Sequence, residues 1–136
     1  MTINPTCQYG FGIDLPTASF DEVLPRVVAA LKDEGFGVLT EIDVQATLKK
    51  KLDFDFRRYL ILGACNPGLA KQALTGEPEI GLLLPCNVVV QEAPEGGIRV
   101  SIADPKVMFQ VVDNPALAPV AAEAEARLRR ALATIE

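Results

Sequence analysis

Tyr59-Leu60-Ile61-Leu62-Gly63-Ala64-Cys65-Asn66-Pro67 is the stretch whose reading decides the fold. Four large apolar residues run without a polar break, small residues follow, and an asparagine–proline pair closes the run. A short continuous apolar segment of this kind, from Arg58 to Ala64, reads as a buried central strand. Asn66-Pro67 then reads as a helix start. The asparagine side chain accepts a backbone N–H, and the proline occupies the first helical position, where a donor would be orphaned anyway. Asp104-Pro105 and Asn114-Pro115 repeat the device.

Working outward, Ile80 to Gln91 reads as a second long strand, broken at Pro85, where a bulge or an unpaired edge position is expected. Continuous apolar character in both segments predicts cover on both faces. Pro94-Glu95-Gly96-Gly97 is a turn into a strand from Ile98 to Ile102. Upstream, Tyr9, Phe11 and Ile13 alternate with polar residues and glycines, giving a strand from Gln8 to Asp14. Phe20, Val23, Leu24, Val27, Val28 and Leu31 recur at helical spacing, with Ser19 and Glu22 as a capping box and Gly35 as the stop. Pro25 inside that pattern predicts a kink or a later start. Phe36 to Ile42 is a strand, and Asp43 caps a short helix to about Leu52 with Lys49, Lys50 and Lys51 at its negative end. Leu69, Ala70, Ala73 and Leu74 face one side of a helix ended by Gly76. Two helices close the chain: one starts near Pro105 and includes Val107, Met108, Val111 and Val112, and the other runs from Pro115 through Leu132. This order predicts one α+β domain over residues 1–136, a two-layer structure with a mixed or antiparallel sheet covered by helices.

Composition narrows the function. The 136 residues suffice for one core. Apolar residues are 49% of the chain and the mean hydropathy is +0.23, with no run near the 18 or so apolar residues that span a bilayer. The excess is expected to be buried, part of it in a homodimer interface formed by helical faces or by Leu82-Leu83-Leu84. A net charge of −5 and a pI near 4.8 argue against nucleic acid and anionic membranes as partners. Met1-Thr2-Ile3-Asn4-Pro5 lacks the basic and apolar regions of a signal peptide. Histidine is absent, which excludes a Ser-His-Asp triad, a Cys-His pair and histidine-based metal sites. Three cysteines, an odd number, read as reduced cytoplasmic thiols and not as a disulfide framework. Gly10-Phe11-Gly12 lacks the rest of a phosphate-loop fingerprint.

The candidate site rests on two cysteine–asparagine pairs. Cys65 ends a strand beside the cap Asn66, where a helix N-terminus favours a thiolate; its alternative is a small buried residue at a tight junction, the commoner place for a cysteine. Cys86 follows Pro85, and Asn87 is placed to satisfy backbone groups that the proline frees. Met108 adds a soft thioether that otherwise serves as core filler. Two thiols and a thioether suit Cu(I), although no spacing demands a metal and no motif names a cofactor. Asp43 is a helix cap with a general base as its alternative, and Cys7 is incidental.

Gly35-Phe36-Gly37-Val38-Leu39, Glu41-Ile42-Asp43-Val44, Ala64-Cys65-Asn66-Pro67, Leu84-Pro85-Cys86-Asn87 and Asp104-Pro105 with Met108 occur in that order. Together, from about Ser19 to Val112, they resemble the domain of unknown function 302 family. The resemblance implies a small α+β domain, often a homodimer, without an assigned enzymatic activity. Two functions are expected on these residues. One is a non-catalytic module binding a small molecule or soft metal near Cys65 and Cys86. The other is a thiol-based redox or sulfur-handling protein with Cys65 as the reactive thiolate.

Overall fold

The computed structural model describes residues 3–135; Met1 and Thr2, which open the stretch read for a signal peptide, and Glu136 lie outside it. The chain runs β1 (Asn4–Cys7), β2 (Gly10–Leu15), α1 (Phe20–Asp33), β3 (Gly37–Asp43), α2 (Val44–Leu52), β4 (Tyr59–Cys65), α3 (Pro67–Gly76), β5 (Cys86–Glu92), β6 (Ile98–Ala103), α4 (Pro105–Phe109) and α5 (Ala118–Ala133). Short 3₁₀ turns occupy Pro78–Leu83 and Pro115–Leu117. The six strands form one sheet in the order β1-β2-β6-β5-β4-β3, every neighbouring pair antiparallel. The α+β class and the antiparallel sheet therefore agree with the sequence pattern.

Register builds the core in rows. Phe11, Ile102, Val88 and Leu62 lie side by side across four strands, and Ile13, Val100, Val90 and Leu60 form the next row. All eight are buried. Over them pack Val23, Val27 and Leu31 of α1 and Ala124, Leu128 and Leu132 of α5, also buried. The period of two in each strand puts the intervening residues on the other face. There Tyr59, Ile61, Val89, Arg99 and Ser101 are only half-buried. The expectation of full cover on both faces thus needs correction. β4 and β5 are central, but α1 and α5 close one side only.

The helix ends follow the capping chemistry. Ser19 accepts from the Glu22 N–H, Asp43 from Ala46, Asn66 from Leu69, Asp104 from Lys106 and Asn114 from Ala116. Gly35, at φ +84°, ends α1 with its N–H on the Lys32 carbonyl while Phe36 reaches back to Leu31. α1 begins at Phe20 and carries Pro25 internally, so the later start does not occur.

Two segments differ from the pattern. Pro78–Leu83 is 3₁₀ and not the first half of a strand, so β5 begins only at Cys86. Pro78 presets a helical φ, and Gly81 weakens strand propensity, so a run of leucines here coils instead of extending. α4 stops at Phe109, short of Val111 and Val112. The hairpin strand β1 escaped the sequence reading because Pro5 removes a ladder donor. Among the described residues, no helix is long and apolar enough to cross a membrane.

The one-sided core gives a direct test. Leu62→Ala, fully buried under the helices, is expected to cost about 3 kcal/mol in denaturant unfolding. Ile61→Ala, its neighbour on the open face, is expected to cost about 1 kcal/mol or less. Equal losses at the two positions would contradict the assignment of faces.

Candidate functional site

Cys65 and Cys86 come close because Ala64 of β4 stands opposite Cys86 of β5. Cys86, in phase with Val88 and Val90, turns toward the helices; Cys65, the last residue of β4, precedes the Asn66 cap of α3. Both line one small cavity of about 30 Å³, closed by Leu69 and Ala73 of α3, Phe109 of α4 and Ala124 of α5. That volume admits one or two waters. Apart from Asn66, whose oxygen is committed to the Leu69 N–H at 3.1 Å, the walls are apolar side chains and the two thiols.

Burial is the main cause that pushes the Cys86 thiol up to about 11, with proximity to Cys65 adding to it. An apolar wall penalises the thiolate more than the thiol, so Cys86 is protonated near neutral pH. All three cysteines are free.

A second hollow, of about 140 Å³, adjoins the outer side of Cys86. It lies between the Leu82–Pro85 segment and α4 and includes Asn87 and Met108. A third, of about 470 Å³, spreads over the uncovered sheet face, floored by Ile61 and Val89 and edged by Tyr9, Tyr59, Arg99 and Ser101. Asn87, Ala103 and Met108 line both, so the two hollows adjoin along these residues as one groove, the smaller of them reaching Cys86. Arg99 is held there by Asp14 at 2.8 Å. The side chains of Asn87, Ser101 and Tyr59 make no hydrogen bond within the described residues, so their polar groups are available to a visitor.

The residues singled out in the sequence therefore separate. Cys65, Asn66 and Cys86 line the inner cavity, while Cys86, Asn87 and Met108 line the outer hollow. Cys65 and Met108 share no hollow, and among the described residues no group of three acidic or cysteine side chains is placed to hold a metal. Asn87 makes no backbone bond of the kind expected beside Pro85. Asp43 caps α2 with its carboxylate on the Ala46 N–H at 2.9 Å. It pairs with Leu60 while Gly37 pairs with Cys65, which puts it five residues, about 17 Å, along the ladder from the thiols. Cys7 borders the open-face groove. Tyr59, Ile61, Val89 and Ser101 were not singled out. Only Ser101 carries a signal, the alternation Ile98-Arg99-Val100-Ser101-Ile102, which leaves one side of β6 polar.

The sequence signature described as "Domain of unknown function DUF302" matches residues 11–135, a wider span than Ser19 to Val112, taking in β2 and α5. A solved structure described as an uncharacterized conserved protein DUF302 from Bacillus stearothermophilus superposes with a TM-score of 0.86 at 30% identity, covering 96% of this chain and 100% of that one. No curated protein matches.

Cys86 gives a pH prediction. Its folded pKa of about 11 lies above the ordinary thiol value of 9.0. Below pH 9 both folded and unfolded thiols are protonated, and the stabilising effect is fully present. Between 9 and 11 the unfolded chain releases a proton that the folded chain keeps, so stability falls, by up to about 1.4 kcal/mol per pH unit. Cys86→Ala is expected to flatten that part of the stability–pH curve. In native protein at pH 8, iodoacetamide is expected to modify exposed Cys7 far faster than Cys86. Comparable rates would mean that Cys86 is not buried as described.

Proposed function

The chain belongs to the DUF302 family, and from that premise we propose that it is a cytoplasmic, homodimeric, non-catalytic module that binds one small, largely apolar molecule in the groove between Cys86 and the open sheet face. The observation that carries this reading is that the two hollows adjoin at Asn87, Ala103 and Met108. Its combined size falls in the range of small-molecule sites, and it joins an apolar floor to a few unpaired polar groups. Ile61 and Val89 offer the floor; the Asn87 amide and the Ser101 and Tyr59 hydroxyls offer the orienting bonds. Cys86 closes the inner end as a protonated thiol. It acts there as a small apolar wall with a polarizable sulfur and takes no part as a nucleophile. The soft-metal version has less support, because Cys65 and Met108 do not meet at a common hollow. The thiol version would rest on Cys65 alone, without a resolving partner in thiolate form.

The test uses 1-anilinonaphthalene-8-sulfonate as an apolar anionic probe. Ser101→Trp places an indole across the floor of the groove and is expected to weaken probe binding at least about tenfold. Cys65→Ser, in the inner cavity, is expected to leave it unchanged. Undiminished binding to the Ser101→Trp variant, or binding lost with Cys65→Ser, overturns the groove as the site.

A further inference from the structure

We infer that the molecule bound in the groove is an amphiphilic carboxylate, an alkyl chain whose single carboxylate head rests on Arg99. The inference rests on the groove reading above and names the ligand class of that same site.

The open face is graded along the strands. Strand pairing sets Tyr59, Gln91 and Arg99 side by side in one row, Ile61, Val89 and Ser101 in the next, and Gly63 and Asn87 in the third. Rows on one face are two residues apart, about 7 Å, so Gln91 and Asn87 stand about 13 Å apart. A polar row thus borders a mainly apolar one, and past the third row the smaller hollow opens beside Met108 and Leu83. A site that is polar at one end and apolar along the rest fits a ligand of the same build.

Charge fixes the sign of the polar end. The chain holds 18 acidic and 13 basic residues, yet among the described residues Arg99 is the one charged residue that lines either hollow. Asp14 and Glu95 act on Arg99 from outside that lining. Asp14 accepts from Nε at 2.8 Å and, more loosely, from Nη2 at 3.5 Å. The Nη1 donors have no partner among the described residues.

A second guanidinium reinforces the row. Arg57 stacks on the Phe56 and Tyr59 rings, 4.4 and 5.6 Å from their centroids, and donates two hydrogen bonds to the Gln91 side-chain oxygen. With that oxygen engaged, the Gln91 amide has its NH2 donors left to offer. Arg57 has no acidic partner among the described residues. In its corner Asp21 binds the Arg58 guanidinium at 3.0 Å, and Glu92 accepts from the Arg58 N–H at 2.9 Å. The row therefore presents donors from Arg99, Gln91 and Tyr59, backed by a cation that no carboxylate of the chain answers. A ligand carboxylate is their complement, and hydrogen bonds between ionised partners are the stronger kind. A cationic head would meet two guanidinium groups instead. The alkyl chain then crosses Ile61 and Val89 toward Met108, whose flexible thioether suits an apolar tail.

The experiment is calorimetric titration of the full chain with decanoate and with decanol, which share an alkyl chain of about that length. The wild type is expected to bind decanoate at least about tenfold more tightly than decanol, and Ser101→Trp to weaken both. Asp14→Asn/Arg99→Gln removes one charge of each sign at a partly exposed ion pair, which is worth little to the fold. The two ligands are expected to bind that variant about equally. Asp14→Asn alone frees Arg99 and is expected to tighten decanoate about threefold or more. A wild type that binds neither ligand, or binds both regardless of Ser101→Trp, overturns the groove and the carboxylate together. The carboxylate alone is overturned if the wild type binds both equally and Ser101→Trp weakens both. A preference for decanoate that outlasts the double variant, or Asp14→Asn that fails to tighten it, does the same.

Discussion

The structure depends on two buried rows that cross four strands, Phe11–Ile102–Val88–Leu62 and Ile13–Val100–Val90–Leu60, held under α1 and α5. Their pairing fixes register as well as stability. A one-residue slip in any strand would carry its whole apolar set to the open side, so the slip costs the burial of several side chains at once. Val88, Val90 and Val100 have no exposed surface. The Ala64–Cys86 pair is simply the next step along the same ladder. The meeting of the two cysteine-bearing ends is thus a consequence of core packing and needs no separate explanation. Gly63 belongs to the same constraint: a Cβ there would run into the Thr40 hydroxyl and the Pro85 ring, so only glycine lets β3 and the Pro85 segment close over β4 at that level.

Much of this was legible in the sequence because local chemistry and long-range packing agree. The run from Tyr59 to Ala64, the capped helix starts at Ser19, Asn66 and Asp104, and the glycine stop at Gly35 all appear where side-chain pattern and capping place them. The reading failed where an apolar run carries no period. Ile80 to Leu84 looks like strand on composition, yet it forms a 3₁₀ turn after Pro78. An unbroken apolar run also hides which face is covered. Tyr59 and Ile61 are as apolar as Leu60 and Leu62, and only the position of the helices decides which pair is buried.

The site was half legible for a related reason. Cys65 and Cys86 are 21 positions apart, and nothing local to either says that their strands are neighbours. Once they are, burial decides their chemistry. Cys86 sits where its charged form is disfavoured, which turns a residue that reads as a reactive candidate into part of a wall. Asn87, one residue on, faces the other side and is exposed. These two adjacent residues point to opposite faces: the thiol lines the inner cavity as well as the end of the outer hollow, and the amide lines the groove side only. The groove was less legible still, because its floor is assembled from single residues of β4, β5 and β6 that no short motif links.

The groove and the β3 edge are both products of covering a six-stranded sheet on one side, yet they occupy different parts of it. The groove lies over β4, β5, β6 and the β1–β2 hairpin, while β3 stands at the outer margin. Ile42, opposite Ile61, carries the open face out to that margin. Any cover laid face to face over the open side would bury Ile61, Val89 and Ser101 and leave no room for a ligand.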